Sequence, residues 1–578
     1  MNTTGTVDRA RPVCTANAKE SIWGAVDETT FRTHLVELEQ LTNAVPVAPQ
    51  VFSANSWLQR DDVSDTLKHG NYYTLQLHEE QRLADDFAAL ASVDQGAQSV
   101  SAACVEEQMC DSGSRRITIR LAAVDAQIDG ASERVLRRVC DDLAGHATNV
   151  ISAAELSSAS GSVSASTSSD DNGIDANTAI CCSRLFDHIV RLHSRRVLAR
   201  LRSSKWEKPQ FLSRTHKKPL RQDLPNLLHR VQFLFTKKES STRKQVEAEI
   251  SALAAVYEEF ETTPDTSASD TVDMDSQAIA GEQEGETEIS RIKSLIQQSY
   301  QFCKSPHVRI YTQRLEAATC ASASARSSDP TKPAKRVTPQ MSSALKTLHQ
   351  IEKIAAYYRI ARSLVDLATR YPKLFVNGLS LVSLRPYASV PSNISYEPWA
   401  KSTHVHAEVQ LAVYYDMVQE EARNSSDTGS PRVSTPTPTT IITTTEPTTL
   451  APRTIGASKY LCFLCHLFLT LHGSFFPATT HGRLYDQWTI PDLCEYSPEV
   501  RLRYREIIAA MDRHVCKRTE EVTATAVQSQ TRSQEPTALD GHTNATTGRA
   551  KGRGDGAVWK WRAEPMTSRE NLILGDEE

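Results

Sequence analysis

Aromatic residues are scarce in this chain of 578 residues, at 6%, and hydrophobic residues as a whole make up 39%. A fully packed chain long enough for three or four domains carries more of both. The composition therefore predicts packed parts separated by segments that cannot fold alone. The net charge is only −5, which excludes a strong attraction of the whole molecule to nucleic acid or acidic membranes.

Long apolar runs, a targeting signal and a disulfide framework are also missing. The longest apolar run, at 460–471, is shorter than the roughly 18 residues that a membrane-spanning helix needs, and His466 interrupts it. The first residues lack a basic stretch followed by an apolar one, which predicts no secretory signal. The twelve cysteines are scattered, as expected for thiols or metal ligands in a reducing compartment. These absences predict an intracellular protein, cytoplasmic or nuclear, with no membrane partner.

Several segments are poor in apolar residues and rich in Ser, Thr, Pro or acidic residues, and are predicted to be disordered. They are 157–177, 262–286, 321–338, 424–453 and a basic, aromatic C-terminal tail at 519–578. Between them the sequence predicts a mostly helical N-terminal region (1–156), a basic helical region (178–261), a helical scaffold (287–372) and an α/β domain (375–516). The Thr- and Pro-rich segment 424–453 is an insertion within this last domain.

In residues 375–516 the hydrophobic pattern alternates between helical and strand periodicity, unlike the helical pattern of the preceding regions. Near alternation around Gly378 predicts a strand, and Ser497 and Pro498 suit the cap and first turn of a late helix. The predicted order is a strand (375–384), a helix (406–418), a short extended segment (454–456), a helix (458–471) and a last helix (500–515). This alternation predicts an α/β sandwich.

Two short motifs in this domain have the residue types of a hydrolytic metal site. His406 and Glu408 form an H-x-E pair at a helix start, and Cys462 and Cys465 form a C-x-x-C pair on the next helix. H-x-E followed by P-C-x-x-C is the signature of zinc deaminases, in which the glutamate is an acid/base and not a ligand. The motifs predict Zn²⁺ held by His406, Cys462 and Cys465, with Glu408 as the proton shuttle for a zinc-bound hydroxide.

Other interpretations of these residues remain open at the level of sequence, because each motif alone occurs by chance in a chain of this length. The zinc site could be structural and recruit His466, His472 or His481. The domain could also keep its fold and serve only as a binding module. His404 could replace His406 as a ligand, although it would lose the H-x-E relation to Glu408.

Two further residues of the domain have a structural and a functional interpretation each. His481 could cap a loop or line a base-binding pocket, and Trp488 could lie in the core or stack on a base. The sequence has no phosphate-binding glycine loop and no Ser/His/Asp arrangement that suggests another chemistry.

The stretches that surround the motifs carry a family resemblance. They are 405–411, 455–465, 481–485 and 488–491, and they resemble the OTT-type deaminases, a fungal-expanded branch of the cytidine deaminase-like superfamily. The resemblance covers roughly the C-terminal third of the chain. It implies a three-layer α/β/α domain, the zinc ligands His406, Cys462 and Cys465, Glu408 as proton shuttle, and a base in a nucleotide or nucleic acid as substrate. Leu461 departs from the family pattern, which has proline before the first cysteine.

The predicted function is therefore that of a zinc-dependent hydrolase that deaminates a nucleobase, with a nucleotide or single-stranded nucleic acid as partner. The alternative is a catalytically inactive deaminase-fold binding or scaffold protein with a structural zinc. A basic stretch at 184–244, with Trp206 and Phe211, could follow a phosphate backbone or be an ordinary solvated helix face. The C-terminal patch around Trp559 and Trp561 could bind nucleic acid or simply dock the tail.

Overall fold

The computed structural model describes residues 21–52, 57–59, 73–94, 99–109, 114–125, 127–159, 176–206, 218–262, 274–324, 339–427 and 449–532. Within these ranges no helix has both the length and the apolar character needed to cross a bilayer.

The first two thirds of the chain are mainly helical. The helices there are α1 (Glu28–Thr42), α2 (Leu77–Ala91), α3 (Gly130–Ala159), α4 (Ala176–Leu201), α5 (Leu224–Leu234), α6 (Ser240–Thr262), α7 (Met274–Lys304), α8 (Pro306–Ser324) and α9 (Pro339–Arg370). The C-terminal part contains α10 (Pro372–Phe375), α11 (Ala407–Asp427), α12 (Phe463–His472) and α13 (Pro498–Arg532). Short 3₁₀ turns occur at Ile22–Gly24, Leu220–Asp223 and Lys237–Glu239.

The strands come from both ends of the chain. They are β1 (Ser101–Met109), β2 (Arg115–Ala123), β3 (Leu379–Ser383), β4 (Val390–Pro391), β5 (Ser402–Val405), β6 (Thr449–Leu450), β7 (Gly456–Ala457) and β8 (Trp488–Thr489). The predicted mixed α/β class with a mostly helical N-terminal region is confirmed.

A long hairpin forms the centre of the main sheet. β1 and β2 pair antiparallel from Ser101 opposite Ala123 to Met109 opposite Arg115. β3 joins the outer edge of β2 in parallel, and β6 and β7 both pair antiparallel with β1. A second, smaller sheet has the order β4-β5-β8, with β5 and β8 parallel.

This hairpin lies outside the domain predicted at 375–516, so that boundary leaves out the two longest strands of the sheet. The N-terminal region was predicted to be mostly helical, yet β2 (RRITIRLAA) has the polar–apolar alternation of a strand. Short strands such as β7, only two residues long, cannot form a stable sheet by themselves. The sheet therefore depends on residues far upstream of the two metal-site motifs.

The hairpin separates two hydrophobic cores. Successive residues of a strand face opposite sides of a sheet. Ala103, Val105 and Ile119 belong to the core formed with α2 and the helices α3–α9. Ala102 and Cys104 belong to the other core, formed with α1, α11, α12 and α13. The helical region and the motif-bearing helices thus pack on opposite faces of the same strands.

The predicted helical scaffold is present as α7, α8 and α9. Along α9, Leu348, Ile351 and Ile354 recur at helical spacing and are buried. The helix ends at Arg370, immediately before Tyr371 and Pro372, as expected where a proline follows.

Much of the sequence predicted to be disordered lies outside the described residues, namely 160–175, 263–273, 325–338, 428–448 and 533–578. The edges of these segments are structured. α7 begins at Met274, and α13 continues to Arg532 although the tail was predicted to begin at 519. Ala, Glu and Gln, which favour helix despite their polarity, make up much of the first extension, whereas Thr is the commonest residue of the second.

A close backbone contact fixes the chain just upstream of the C-x-x-C motif. A Cβ atom on Gly456 would lie 2.3 Å from the backbone of Ala84 and Asp85, so only glycine allows α2 and β7 to approach this closely. Next to it, the Ala457 N–H donates to Asp85 Oδ1 at 2.9 Å. α2 thereby sets the path of the chain that leads to Cys462.

Candidate metal centre

His406 lies at the junction of β5 and α11. The Gln410 N–H donates to the His406 carbonyl at 3.0 Å, which makes His406 the residue that caps α11. Glu408 follows in the first turn of the same helix and is only 3% exposed. The predicted helix start at the H-x-E motif is confirmed, and both side chains face the interior beside α12.

Gln410 holds this junction against the end of the hairpin. Its side-chain amide donates to the carbonyls of Ala123, Val124 and Val405, at 2.8, 3.1 and 2.9 Å. The bonds connect the last residue of β2 with the last residue of β5. No motif or periodicity indicates this role, because Ala123 and Val124 lie 287 and 286 residues before Gln410.

The two cysteines occupy the start of α12. Cys462 is the N-cap, and its Sγ accepts the N–H of Cys465 at 3.2 Å. Cys465 lies in the first turn and is fully buried. A helix N-terminus stabilises negative charge, which favours a thiolate at Cys462.

The three predicted ligands come together, with His406 Nδ1 3.7 Å from Cys462 Sγ and 3.4 Å from Cys465 Sγ. Their ligand atoms all lie within 4.8 Å of one another. Zn–N bonds of about 2.05 Å and Zn–S bonds of about 2.3 Å in a tetrahedral site place nitrogen and sulfur ligands about 3.6 Å apart. The group is therefore a candidate metal site whose donors and spacing are consistent with zinc.

The ionisable groups of His406, Cys462 and Cys465 change one another's pKa values. Burial by itself raises the pKa of the Cys462 thiol, but the contacts with Cys465 and His406 lower it well below its usual range. Burial would lower the pKa of His406, and the negative charges of Cys462, Glu408 and Asp125 raise it instead. The Cys465 pKa is raised by burial and by the neighbouring Cys462 sulfur. A divalent cation would relieve this concentration of negative charge.

Glu408 lies beside the ligand group without belonging to it. Its Oε2 accepts a hydrogen bond from Cys465 Sγ at 3.4 Å. Burial raises the pKa of Glu408, and the charge of Cys462 adds to this effect while His406 opposes it. A buried carboxyl group beside a candidate metal site is a candidate for acid/base chemistry.

His404 is engaged elsewhere. Its Nδ1 lies 2.7 Å from Asp125 Oδ1 and its Nε2 lies 3.0 Å from Ser402 Oγ. This Ser/His/Asp row was not recognised in the sequence, because Asp125 follows β2 whereas Ser402 and His404 lie on β5. Because both of its ring nitrogens have other partners, His404 does not join Cys462 and Cys465. The histidine grouped with the two cysteines is His406.

The other histidines considered as ligands also have different surroundings. His472 Nε2 lies 2.9 Å from Asp416 Oδ2, and Arg503 bonds both to this aspartate and to the His472 carbonyl. His466 stacks on Phe52 at 4.3 Å, and burial lowers its pKa to about 4. His481 Nδ1 accepts the Arg483 N–H at 3.1 Å, in agreement with a loop cap. None of the three belongs to the candidate metal group.

Trp488 lies on β8 and is only 1% exposed, so the interpretation of Trp488 as a core residue is confirmed. Its indole also lies close to the Cys465 side chain. A second aromatic ring near the ligands is Tyr485, whose centroid lies 6.5 Å from that of His406. His481 packs edge-on against Tyr485 at 5.9 Å. Gly482 between them has φ +73°, and a Cβ there would meet the Val47 carbonyl at 2.1 Å.

The backbone hydrogen bonds of Leu461 explain why this chain has no proline before Cys462. Its N–H donates to the Thr479 carbonyl at 3.0 Å, and its own carbonyl accepts from the His481 N–H at 3.1 Å. Proline has no N–H and could not make the first of these bonds. In this chain the residue before Cys462 links the start of α12 to the loop that carries Tyr485.

α1 supports that loop from behind. Arg32 Nη1 donates to the carbonyls of Asp486 and Trp488, at 3.2 and 3.4 Å. Glu39 Oε2 accepts the Asp486 N–H at 3.2 Å. Burial, and then the nearby Asp486 carboxylate, raise the pKa of Glu39 to about 9. The native protein therefore holds Glu39 protonated at neutral pH.

This protonation predicts a pH-dependent contribution to stability. Glu39 has a native pKa above its unfolded value, so its contribution is complete below about pH 4.5 and is lost as the pH rises through about 9. We expect the melting temperature of the wild type to fall between pH 6 and pH 9 more than that of Glu39→Gln, whose amide mimics the protonated carboxyl. Thermal melts of both proteins at several pH values measure the difference.

Glu37→Gln is the matched control, because Glu37 lies on the same helix but is exposed. Its melting temperature should follow the wild type at every pH. Parallel curves for the wild type and Glu39→Gln would show that Glu39 does not titrate in this range.

The basic region at 178–261 uses several of its cations in ion pairs. Arg191 contacts Glu286 at 2.5 Å, and Arg202 contacts Asp223 at 2.7 Å. Arg196 is buried and donates to Ser92 Oγ. These arginines hold helices together, while Phe211 and the C-terminal patch with Trp559 and Trp561 lie outside the described residues.

Comparison with known proteins agrees with this geometry. Residues 405–492 match the family model of the OTT_1508-like deaminases. The search of curated proteins and the search of solved structures found no match to the chain. The matched segment contains His406, Glu408 and both cysteines, the residues that the structure brings together. Residues 405–492 are thus an OTT_1508-like deaminase domain of the cytidine deaminase-like superfamily.

Proposed function

We propose that this domain is a zinc-dependent hydrolytic deaminase that acts on a nucleobase in a nucleotide or a nucleic acid. The observation that carries the proposal is the buried Glu408 carboxyl group, 3.4 Å from the sulfur of one of three candidate zinc ligands. A purely structural zinc site has no need for a buried carboxyl group beside it. A hydrolytic site needs one to move protons.

The residues divide the chemistry between them. His406, Cys462 and Cys465 would hold zinc, which acidifies water, lowering its pKa to about 7. Glu408 takes a proton from the attacking water and delivers protons to the nitrogen that leaves. Overall, one water molecule is consumed, a C–O bond replaces the C–N bond, and ammonia is released.

The substrate is proposed from the same surroundings. The exchanged nitrogen must be an exocyclic amino group, which cytosine, adenine and guanine carry. The Tyr485 ring beside His406 and the His481 ring against it offer flat surfaces for a heterocycle. The family match at 405–492 supports deamination as the reaction.

We further propose that the functional unit is larger than 375–516 and has the three-layer α/β/α arrangement. Its support is the hairpin β1–β2, with a helical core on each face. Gln410 and the pairing of β7 with β1 connect both motif-bearing helices to that hairpin.

The purified full-length chain, loaded with zinc, tests the function directly. Ammonia release is measured on nucleosides, nucleotides and single-stranded oligonucleotides of each base. We expect release from at least one amino-bearing base and none from uridine or thymidine, which lack an exocyclic amino group. For an oligonucleotide substrate, binding should weaken steeply with added salt.

The panel also separates the proposal from its alternative. A chain that binds zinc at His406, Cys462 and Cys465 but releases no ammonia from any base would be a binding or scaffold protein with a structural metal. A chain without zinc at these residues would contradict both versions.

A further inference from the structure

A second group of metal-ligand side chains lies where α1 packs on α13. His34 Nδ1 is 2.8 Å from Asp512 Oδ1 and 3.3 Å from Cys516 Sγ. The three ligand atoms lie within 4.8 Å of one another, as in the His406 group. Asp512 and Cys516 are four residues apart on α13 and therefore share one face of that helix.

We propose that His34, Asp512 and Cys516 bind a transition-metal ion of the zinc class and so join α1 to α13. Imidazole nitrogen, thiolate sulfur and carboxylate oxygen are the ligand types of zinc sites. A thiolate ligand disfavours magnesium and calcium, which select oxygen. Three protein ligands leave the fourth tetrahedral position to water. Binding displaces the proton of the Cys516 thiol into solvent.

The surroundings of the cysteine favour a cation. The carboxyl groups of Asp512, Glu520 and Glu37 lie close enough to Cys516 to act on its charge. These negative charges attract a metal ion, which stabilises the thiolate.

The group is accessible to metal without unfolding. The His34 and Asp512 side chains are 31% and 15% exposed, so solvent reaches the ligands. They are nevertheless held on two well-packed helices, since Leu35 and Leu38 of α1 and Met511 and Val515 of α13 are buried in one core. Rigid helices restrict the ligands to small side-chain rotations when the ion binds.

The ion would act on the candidate active site through α1. On this helix Arg32 and Glu39, on either side of His34, hold Asp486 by its backbone. Asp486 follows Tyr485, the ring next to His406. A metal that fixes α1 on α13 therefore also stabilises the loop beside the His406 group.

Metal stoichiometry tests the site in the full-length chain. The protein is stripped with chelator, kept reduced, and titrated with zinc against a chromophoric indicator and with cobalt(II) by visible absorption. We expect about two ions per chain in the wild type and about one in Cys516→Ala, with loss of part of the thiolate–cobalt absorption. Asp512→Asn should weaken the second ion without removing the first.

Two control variants make the result specific. Cys494→Ala removes an exposed cysteine of the same domain and should leave about two ions bound. Cys462→Ala/Cys465→Ala removes the candidate deaminase site and should retain about one ion. If that double variant does not fold, the comparison of Cys516→Ala with the wild type decides alone.

The outcomes distinguish this site from the proposed function. Equal stoichiometry and equal cobalt spectra for the wild type and Cys516→Ala would overturn the second site and leave the deaminase proposal standing. One ion in the wild type and none in Cys516→Ala would establish the second site. It would also show that the His406 group binds no zinc.

Discussion

Replacing Glu408 by glutamine is expected to lower the rate of ammonia release by about 10²–10⁴-fold, the usual contribution of a general acid–base. Glutamine fills the same buried space but cannot accept a proton. Zinc content should stay unchanged, because Glu408 lies beside the ligand group without joining it. Steady-state assays on the best substrate of the panel, with metal analysis of the same preparations, measure both quantities.

Glu421→Gln provides the control for this change, since Glu421 lies on the same helix and is exposed. It should release ammonia at the wild-type rate. A Glu408→Gln protein that kept both its zinc and full activity would exclude Glu408 as the proton shuttle. Loss of zinc from that variant would instead make Glu408 a metal ligand.

The candidate ligand group could be predicted from sequence because each half is local. The spacing of His406 and Glu408, and of Cys462 and Cys465, is set by single helical turns. The first helix begins where the residue pattern indicated, whereas α12 begins at Phe463, five residues after the predicted start at 458, with Cys462 as its N-cap. A helix fixes the relative positions of residues two or three apart whatever surrounds it. Only the contact between the two motifs depends on the tertiary fold.

The surroundings of the site could not be predicted, because they come from chain segments far away in sequence. Asp125, which pairs with His404, is separated from it by the helices α3–α9. Arg32 and Glu39 belong to the first helix of the described chain and hold the loop at Asp486. Such pairings have no periodicity or spacing, and they arise only when β1 and β2 insert between two cores.

The chain that returns to the site after residues 428–448 is held by a buried ion pair. Arg453 Nε contacts Glu80 Oε2 at 2.7 Å, and the Arg453 backbone N–H donates to Glu80 Oε1 at 2.7 Å. Arg453 Nη2 donates to the Leu75 carbonyl, and its guanidinium lies 4.0 Å from the Tyr73 ring. Burial raises the pKa of Glu80 to about 7 despite this arginine.

Arg453→Met is therefore expected to lower the free energy of unfolding by about 3–5 kcal/mol, the cost of leaving a buried charge without its partner. The loss should be larger at pH 8 than at pH 6, because Arg453 lowers the pKa of Glu80 and its removal raises that pKa further. The variant then continues to lose stability above about pH 7, where the wild type no longer does. Urea unfolding of wild type and variant at the two pH values measures it. Because Arg453 precedes β7 and Cys462, zinc affinity should fall in parallel.

Two further variants show whether the buried charge is the cause. Glu80→Gln/Arg453→Met removes both charges and should recover much of the lost stability, especially at pH 8. Arg184→Met breaks the ion pair of Arg184 with Asp142, in which the Arg184 side chain is 64% exposed. It should change the free energy of unfolding by about 0–1 kcal/mol. If Arg453→Met cost no more than Arg184→Met, the return of the chain to the metal site would depend on the packing of Gly456 against α2 and not on this ion pair.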